Sequence, residues 1–250
     1  LNGVLSSGQN TYSNNITLKV KPFFQALVTA DPELWYLIGA GVGDGAWGSE
    51  IGVSVYPMTP VEGGKFDDAT GRGPLTYTGY FTPDLGFKII RVPGSWDDQW
   101  GGVENDINQP KRKDDTGEGG DFKVPSAGYY RIDLDTYTNT LTFTALDKDP
   151  AEYPQMLIAG DFTNWGDGAV NMKPVDTFEG ARPHVWMYDM SISENTGMKF
   201  LVDDSWNPNW GGEKFPFGWG VGGGANIPVE AGDYRIIFND ITGYYHFYNK

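Results

Sequence analysis

Three features of the sequence predict an all-β protein built from tandem antiparallel β-sandwiches, of an immunoglobulin-like or carbohydrate-binding-module-like kind. Runs such as YRIDLD (130–135), TLTFTAL (140–146), YRIIFN (234–239) and YYHFYN (244–249) combine β-branched and aromatic residues with period-two alternation. Glycine (35) and proline (16) are dense across the 250 residues, and no stretch holds a helical period over three turns. The chain also repeats itself. LWYLIGAGVGDGAWG (34–48), LGFKIIRVPGSWDDQWGG (85–102) and AGYYRIDLDTYTNTLTF (127–143) answer to QMLIAGDFTNWGDG (155–168), TGMKFLVDDSWNPNWGG (196–212) and AGDYRIIFNDITGYYHF (231–247).

Matching positions pair Trp47 with Trp165, Lys88 with Lys199, Trp96 with Trp206, Trp100 with Trp210 and Arg131 with Arg235. The offset drifts from 118 (165−47) through 110 (206−96) to 104 (235−131), as expected of loops of unequal length on one framework. A period near one hundred residues is too long for a solenoid and suits two domains, each able to bury a core.

The elements follow in order. Residues 1–31 contain ITLKVKPF (16–23), a single strand ended by proline. One strand cannot fold alone, so this segment reads as the terminal strand of a preceding immunoglobulin-like domain, or as a linker. The start at Leu1, without a charged or apolar leader, reads as a processed or trimmed fragment. Residues 32–149 form the first predicted sandwich, closed by a hairpin over 130–146 that turns at Thr138-Asn139. DKDPAEYP (147–154) is a short linker, and residues 150–250 form the second sandwich, closed by a hairpin turning at Thr242-Gly243. The insert NQPKRKDDTGEGGD (108–121), of mixed sign and without an apolar residue, reads as a solvated loop.

Composition removes several function classes. A net charge of −15 opposes nucleic acid and anionic membrane surfaces, and favours a neutral partner. No apolar run is long enough to span a bilayer. Without cysteine there is neither a disulfide framework nor thiol chemistry. The two histidines, His184 and His246, read as packed strand residues, and neither a triad nor a zinc motif accompanies them. The glycines of GAGVGDGAWG (39–48) precede no helix, so they hold no dinucleotide. Carboxylates are plentiful, and candidates for a glycosidase pair cluster beside the tryptophans: Asp97 with Asp98, Asp203 with Asp204, Asp161 with Asp167. Their default reading is exposed loop acids. No DxDxDG calcium loop is present. The expectation is therefore no catalytic residue, no metal and no cofactor.

Nine tryptophans exceed what the core needs, and several lie in turns rich in Gly and Asp: Trp47 in GDGAWG, Trp165 in TNWGDG, Trp96 in GSWDD, Trp206 in DSWNP. An indole on a loop is either a lid folded onto the core or a platform for the apolar face of a sugar ring. The sugar's hydroxyl rim then needs polar partners. Lys88 and Lys199 lie on the strands entering the Trp96 and Trp206 loops and can supply them.

The motifs LIAGDFTNWGDG, GMKFLVDDSWNPNWGG and AGDYRIIFND resemble the SusE/SusF family of starch-binding outer-membrane lipoproteins of Bacteroidetes. The resemblance covers about 30–250 and is closer in the second repeat. It implies an N-terminal immunoglobulin-like domain followed by tandem starch-binding sandwiches, each pairing two aromatics with a Lys or Arg. Carried over by motif, the sites are Trp165, Lys199 and Trp206, and Trp47, Lys88 and Trp96. Trp100 and Trp210, the second tryptophans of the two W-x-x-x-W-G loops, complete the candidate set. The resemblance further implies non-catalytic binding of starch or maltooligosaccharide at the cell surface, a lipid anchor in the outer membrane, and other glycan-uptake proteins as neighbours. Two other readings stand beside it: a glycoside hydrolase fragment using the Trp-flanking aspartates, and a structural or protein-interaction module. The compact loops of the second repeat predict a site at least as tight as the first.

Overall fold

The structure is a computed structural model that describes residues 2–4, 10–12, 29–166, 168–203 and 205–250. The strand expected over ITLKVKPF lies outside the described residues. Near the N-terminus Asn2–Val4 pairs antiparallel with Asn10–Tyr12.

The remainder is all-β, arranged as two sandwiches. In the first, one sheet orders its strands Val55–Pro57, Tyr36–Gly39, Phe87–Ile90, Gln99–Gly102, Pro110–Arg112. The facing sheet runs Thr140–Ala145, Gly128–Asp135, Pro74–Phe81, Thr59–Pro60. Leu37, Phe87, Ile89 and Trp100 from the one meet Tyr77, Phe81, Ile132 and Leu134 from the other in a single core. The second sandwich repeats the plan. Val170–Asn171, Leu157–Gly160, Thr196–Leu201, Asn209–Gly211 and Val221–Gly222 follow one another in one sheet, with Ile227–Val229 also paired to Thr196–Leu201. Lys173–Pro174, Val185–Ile192, Gly232–Asn239, Tyr244–Asn249 and Phe217–Trp219 form the other. Ile158, Met198 and Phe200 pack there against Trp186, Ile236, Phe238 and Phe247. All pairings between these strands are antiparallel. Both closing hairpins occur, with Asn139 and Gly243 at positive φ in their turns.

Period two explains most of the burial. In Gly128–Asp135, Tyr130, Ile132 and Leu134 point into the core while Arg131 and Asp133 pair outside at 2.7 Å. The breaks in that alternation mark the seam between the repeats. Tyr129 is buried on the outer face, its hydroxyl 2.8 Å from His184 Nε2. Val175, Val185 and Ile237 of the second repeat join the core cluster of the first. Full burial of an aliphatic side chain contributes roughly 1.5–3 kcal/mol, so core packing, not the linker alone, joins the two sandwiches.

The insert at 108–121 is largely solvent-exposed, as expected, but part of it is strand rather than loop. Pro110–Arg112 pairs with Gln99–Gly102 as an edge strand, and Gly102 and Gly120 exchange backbone hydrogen bonds at 2.9 Å. Backbone pairing needs no apolar side chain, which is why composition hid this strand. Glycines at 101 and 120 permit the approach, since a Cβ on Gly101 would collide with the Gly120 carbonyl.

Candidate functional site

Each repeat builds the same constellation on the outer face of one sheet. In Phe87–Ile90 the side chains of Phe87 and Ile89 enter the core, so Lys88 and Ile90 face outward. Ile90 joins Tyr36, Ile38 and Val55 in a small apolar cluster, and Trp47 packs against that cluster. In the second repeat Leu157, Ala159 and Leu201 form the corresponding cluster under Trp206. The register places Lys88 opposite Ile38 and Lys199 opposite Ala159.

Over these clusters stand two tryptophan pairs. Trp47 and Trp96 have ring centroids 6.0 Å apart and planes inclined at 41°; for Trp165 and Trp206 the values are 6.1 Å and 41°. Three of the four adopt left-handed backbone conformations, with φ of 55° at Trp47, 57° at Trp165 and 61° at Trp206. A bulky residue is an outlier there, and such strain gathers at ligand sites. Trp96 is 38% exposed, and the other three are half-buried.

Beneath each pair runs the same polar relay. Lys88 Nζ donates to Gln99 Oε1 at 2.8 Å, and Gln99 Nε2 donates to the Trp96 carbonyl at 2.8 Å. Lys199 Nζ donates to Asn209 Oδ1 at 3.5 Å, and Asn209 Nδ2 donates to the Trp206 carbonyl at 2.6 Å. Gln99 and Asn209 are absent from the sequence reading, although both stand at one position of the duplicated loop, W-D-D-Q-W-G-G and W-N-P-N-W-G-G. An amide recurring where charge and size otherwise vary was the available signal.

In the first repeat a groove of about 340 Å³ is lined by Trp47, Lys88, Trp96, Gln99 and Glu118. Glu118 comes from the insert. It accepts from Gln99 Nε2 at 2.8 Å and stands 3.7 Å from Lys88 Nζ. In the second repeat Asp161 orients the platform: Oδ1 accepts from Trp165 Nε1 at 2.8 Å, and Oδ2 from Gly197 N at 2.9 Å and Thr196 Oγ1 at 3.2 Å. The Gly197 amide, followed by the Trp165 indole, holds the Asp161 carboxyl below the usual carboxylate range. A larger groove, about 690 Å³ along Asn195, Lys214–Phe217 and Pro228–Glu230, contains none of the four paired tryptophans.

Trp100 and Trp210 do not join the platforms. Because Gln99 and Asn209 turn outward, the next residue turns inward. Trp100 is 6% exposed within the core, and its Nε1 is buried without a partner. Trp210 packs edge-on against Phe238 and Tyr153, at 5.4 and 5.6 Å. Trp100 offers no ring face to a sugar, and the half-buried Trp210 stands apart from the Trp165–Trp206 pair. Lys88, at 8% exposure, is likewise no ordinary solvent-face lysine.

The acids beside the tryptophans are engaged. Asp98 is held by Arg112 at 2.8 and 2.7 Å and by Arg91 at 3.2 Å. Asp97 accepts from Ser95 Oγ, and Asp203 from Ser205 N. Hydrogen bonds from the Ser205 hydroxyl and amide lower the Asp203 carboxyl. Asp167 and Asp204 lie outside the described residues. A general acid needs a raised pKa. The carboxyls that burial raises, Asp176 and Asp240, are buried and do not line the Trp47–Trp96 groove. His184 is buried with Nδ1 2.7 Å from Asp240 Oδ1. His246 stacks on Tyr248 at 3.9 Å, and burial depresses its pKa to about 4. Among the described residues no group of three or more His, Asp or Glu is placed to hold a metal ion, and no helix is long and apolar enough to cross a membrane.

No protein-family model and no curated protein matches the chain. Among solved structures it is similar to SusF from Bacteroides thetaiotaomicron, at 18% identity and a TM-score of 0.34, over 99% of this chain and 56% of that one. The chain thus spans a little over half the length of that protein. Its all-β class stands on its own strand pairing.

Proposed function

We propose that this chain is a non-catalytic glycan-binding protein with two tryptophan platforms, each taking the apolar face of a sugar while Lys88 or Lys199 meets its hydroxyl rim. One observation carries the reading: two loops of different sequence and length hold their indoles in the same tilted geometry, with the same lysine–amide relay beneath. Core packing has no need to preserve an outer-face angle. A tilt of 41° suits a curved chain better than a flat one, which favours α-linked glucan (starch or maltooligosaccharide) over extended β-linked ribbons. The strained backbone at three tryptophans supports a ligand role over a lid on the core. The acidic surface fits a neutral polymer.

A stacked sugar with a few solvated hydrogen bonds gives roughly millimolar to micromolar affinity, about −4 to −8 kcal/mol. Two sites on one polymer can add ~10²-fold by effective concentration. The proposed setting is the cell surface of a bacterial outer membrane, lipid-anchored in the full-length protein, beside other glycan-uptake proteins. Electrophoresis through gels holding amylopectin, pullulan, xylan or no polysaccharide tests the reading. Retardation by the two α-glucans is expected. Equal migration in all gels removes glycan binding, and retardation by xylan alone removes the starch assignment. Sustained release of reducing sugar from amylopectin would overturn the non-catalytic reading.

A further inference from the structure

We infer that Glu118 is the specificity-determining residue of the first platform: it makes the Trp47–Trp96 groove select neutral sugars and exclude uronate-bearing ones. The inference rests on the proposed function and narrows the ligand class of one of its sites. Among the described residues Glu118 is the only acid lining that groove, and the matching edge segment of the second repeat, where Val221–Gly222 pairs with Asn209–Gly211, is shorter and carries glycines at 222–224 in place of an acid.

The placement is built, not incidental. The edge strand Pro110–Arg112 and the close pairing of Gly102 with Gly120 bring the insert back over the sheet. Gln99, 1% exposed, then fixes the Glu118 carboxylate at 2.8 Å while accepting from Lys88. Lys113 Nζ donates to the Trp96 carbonyl at 2.9 Å and stands 3.8 Å from the same carboxylate. The groove therefore shows a ligand one cation and one anion 3.7 Å apart, beside two indoles.

Adjacent sugar hydroxyls complement that pair. One donates to Glu118 while its neighbour accepts from Lys88, and each hydrogen bond involves a charged group, the stronger class. A uronate meets the pair differently. Its carboxylate is drawn to Lys88 but must lie within a few ångströms of Glu118, on a protein already at −15. Like-charge juxtaposition of this kind is the repulsive element that specificity requires. Without Glu118, Lys88 becomes an unopposed cation between aromatic rings, which is a site for an acidic sugar.

The test uses the full chain in a Trp206→Ala background, so that only the first platform is read. Calorimetry with maltoheptaose and with an oligogalacturonate of similar length compares that parent with Glu118→Gln, which keeps an acceptor for Gln99 and removes the charge. The parent should bind maltoheptaose and not the uronate. Glu118→Gln should lose about threefold to tenfold for maltoheptaose and gain uronate binding by ~fivefold or more. Adding Lys88→Met should abolish that gain. An unchanged preference, or a uronate gain that survives Lys88→Met, overturns the role of Glu118 and leaves the proposed function standing. A Trp206→Ala parent that binds no neutral glycan removes the inference and the first platform with it, and an unsubstituted chain that binds none removes the proposed function as well.

Discussion

Arg235 crosses the seam between the repeats and donates to Glu50 at 2.6 Å, while the same nitrogen donates to the Ile51 carbonyl at 2.9 Å. Asp189 holds the guanidinium from behind with two bonds of 2.7 Å. On the other side of the same loop, Gly43 N donates to Asp176 Oδ1 at 3.1 Å, and Thr177 N donates to the Gly43 carbonyl at 3.0 Å. Trp47 sits between these two clamps. The second repeat thus supports the loop that carries half of the first platform.

Arg235→Ala should accordingly weaken the first platform and spare the second. In a Trp206→Ala background we expect about threefold to tenfold loss of glycan affinity, and in a Trp47→Ala background no change. Stability should fall by about 1–3 kcal/mol for the lost charge-assisted bonds, read by chemical denaturation. Equal losses at both platforms would mean that the variant acts by general unfolding.

Asp176 predicts a pH effect on stability. Burial raises its carboxyl to about 7, and the Gly43 hydrogen bond opposes that only in part. The folded state therefore holds a proton that the unfolded chain has released above about pH 4. Stability from this group is full below that pH and is lost as pH rises through 7. Asp176→Asn keeps the acceptor for Gly43 and cannot ionise. Its stability advantage over the parent should be small at pH 4 and grow to at most about 4 kcal/mol above pH 8, three pKa units at ~1.36 kcal/mol each. A difference that does not vary between pH 4 and 8 contradicts the assignment.

The two lysines part company in stability. Lys88 is buried against Gln99 and Glu118, whereas Lys199 is half-buried with one long bond to Asn209. Each alanine variant should lose about tenfold in affinity at its own platform, near 1.4 kcal/mol. Lys88→Ala should also lower the melting temperature, because Gln99 Oε1 is left buried without a donor, at about 1–3 kcal/mol. Lys199→Ala should melt like the parent. If Lys199→Ala binds as the parent does, the second aromatic pair acts without it.

The strands were legible because alternation and burial agree: YRIDLD (130–135) buries Tyr130, Ile132 and Leu134 within the strand Gly128–Asp135. The four paired tryptophans and both lysines were legible because the chain is duplicated, and duplication exposes what a loop keeps. Trp100 and Trp210 were misread because motif position says nothing about facing. Only the outward turn of Gln99 and Asn209, one residue earlier, sends the Trp100 indole into the core and sets the half-buried Trp210 against it. Glu118 was invisible for a different reason. Its groove partners are distant in sequence, and the backbone pairing at Gly102 and Gly120 that delivers it leaves no compositional trace.

The second platform should bind at least as tightly as the first, and Asp161 supplies a reason. Its carboxylate anchors the Trp165 indole to the Thr196–Leu201 strand through the Gly197 amide and the Thr196 hydroxyl. A ring held in its binding pose before the ligand arrives loses less entropy on binding. Trp165→Ala or Trp206→Ala should thus cost more affinity for a maltooligosaccharide than Trp47→Ala or Trp96→Ala. Asp161→Ala, which keeps both tryptophans but frees the Trp165 indole from its anchor, should cost about threefold at the second platform and nothing at the first. Trp165 fluorescence anisotropy, read in a variant lacking the other exposed tryptophans, should fall as the indole loosens. Full affinity in Asp161→Ala together with unchanged anisotropy would remove the carboxylate as the anchor. Losses confined to the Trp47 and Trp96 variants would reverse the order of the two platforms.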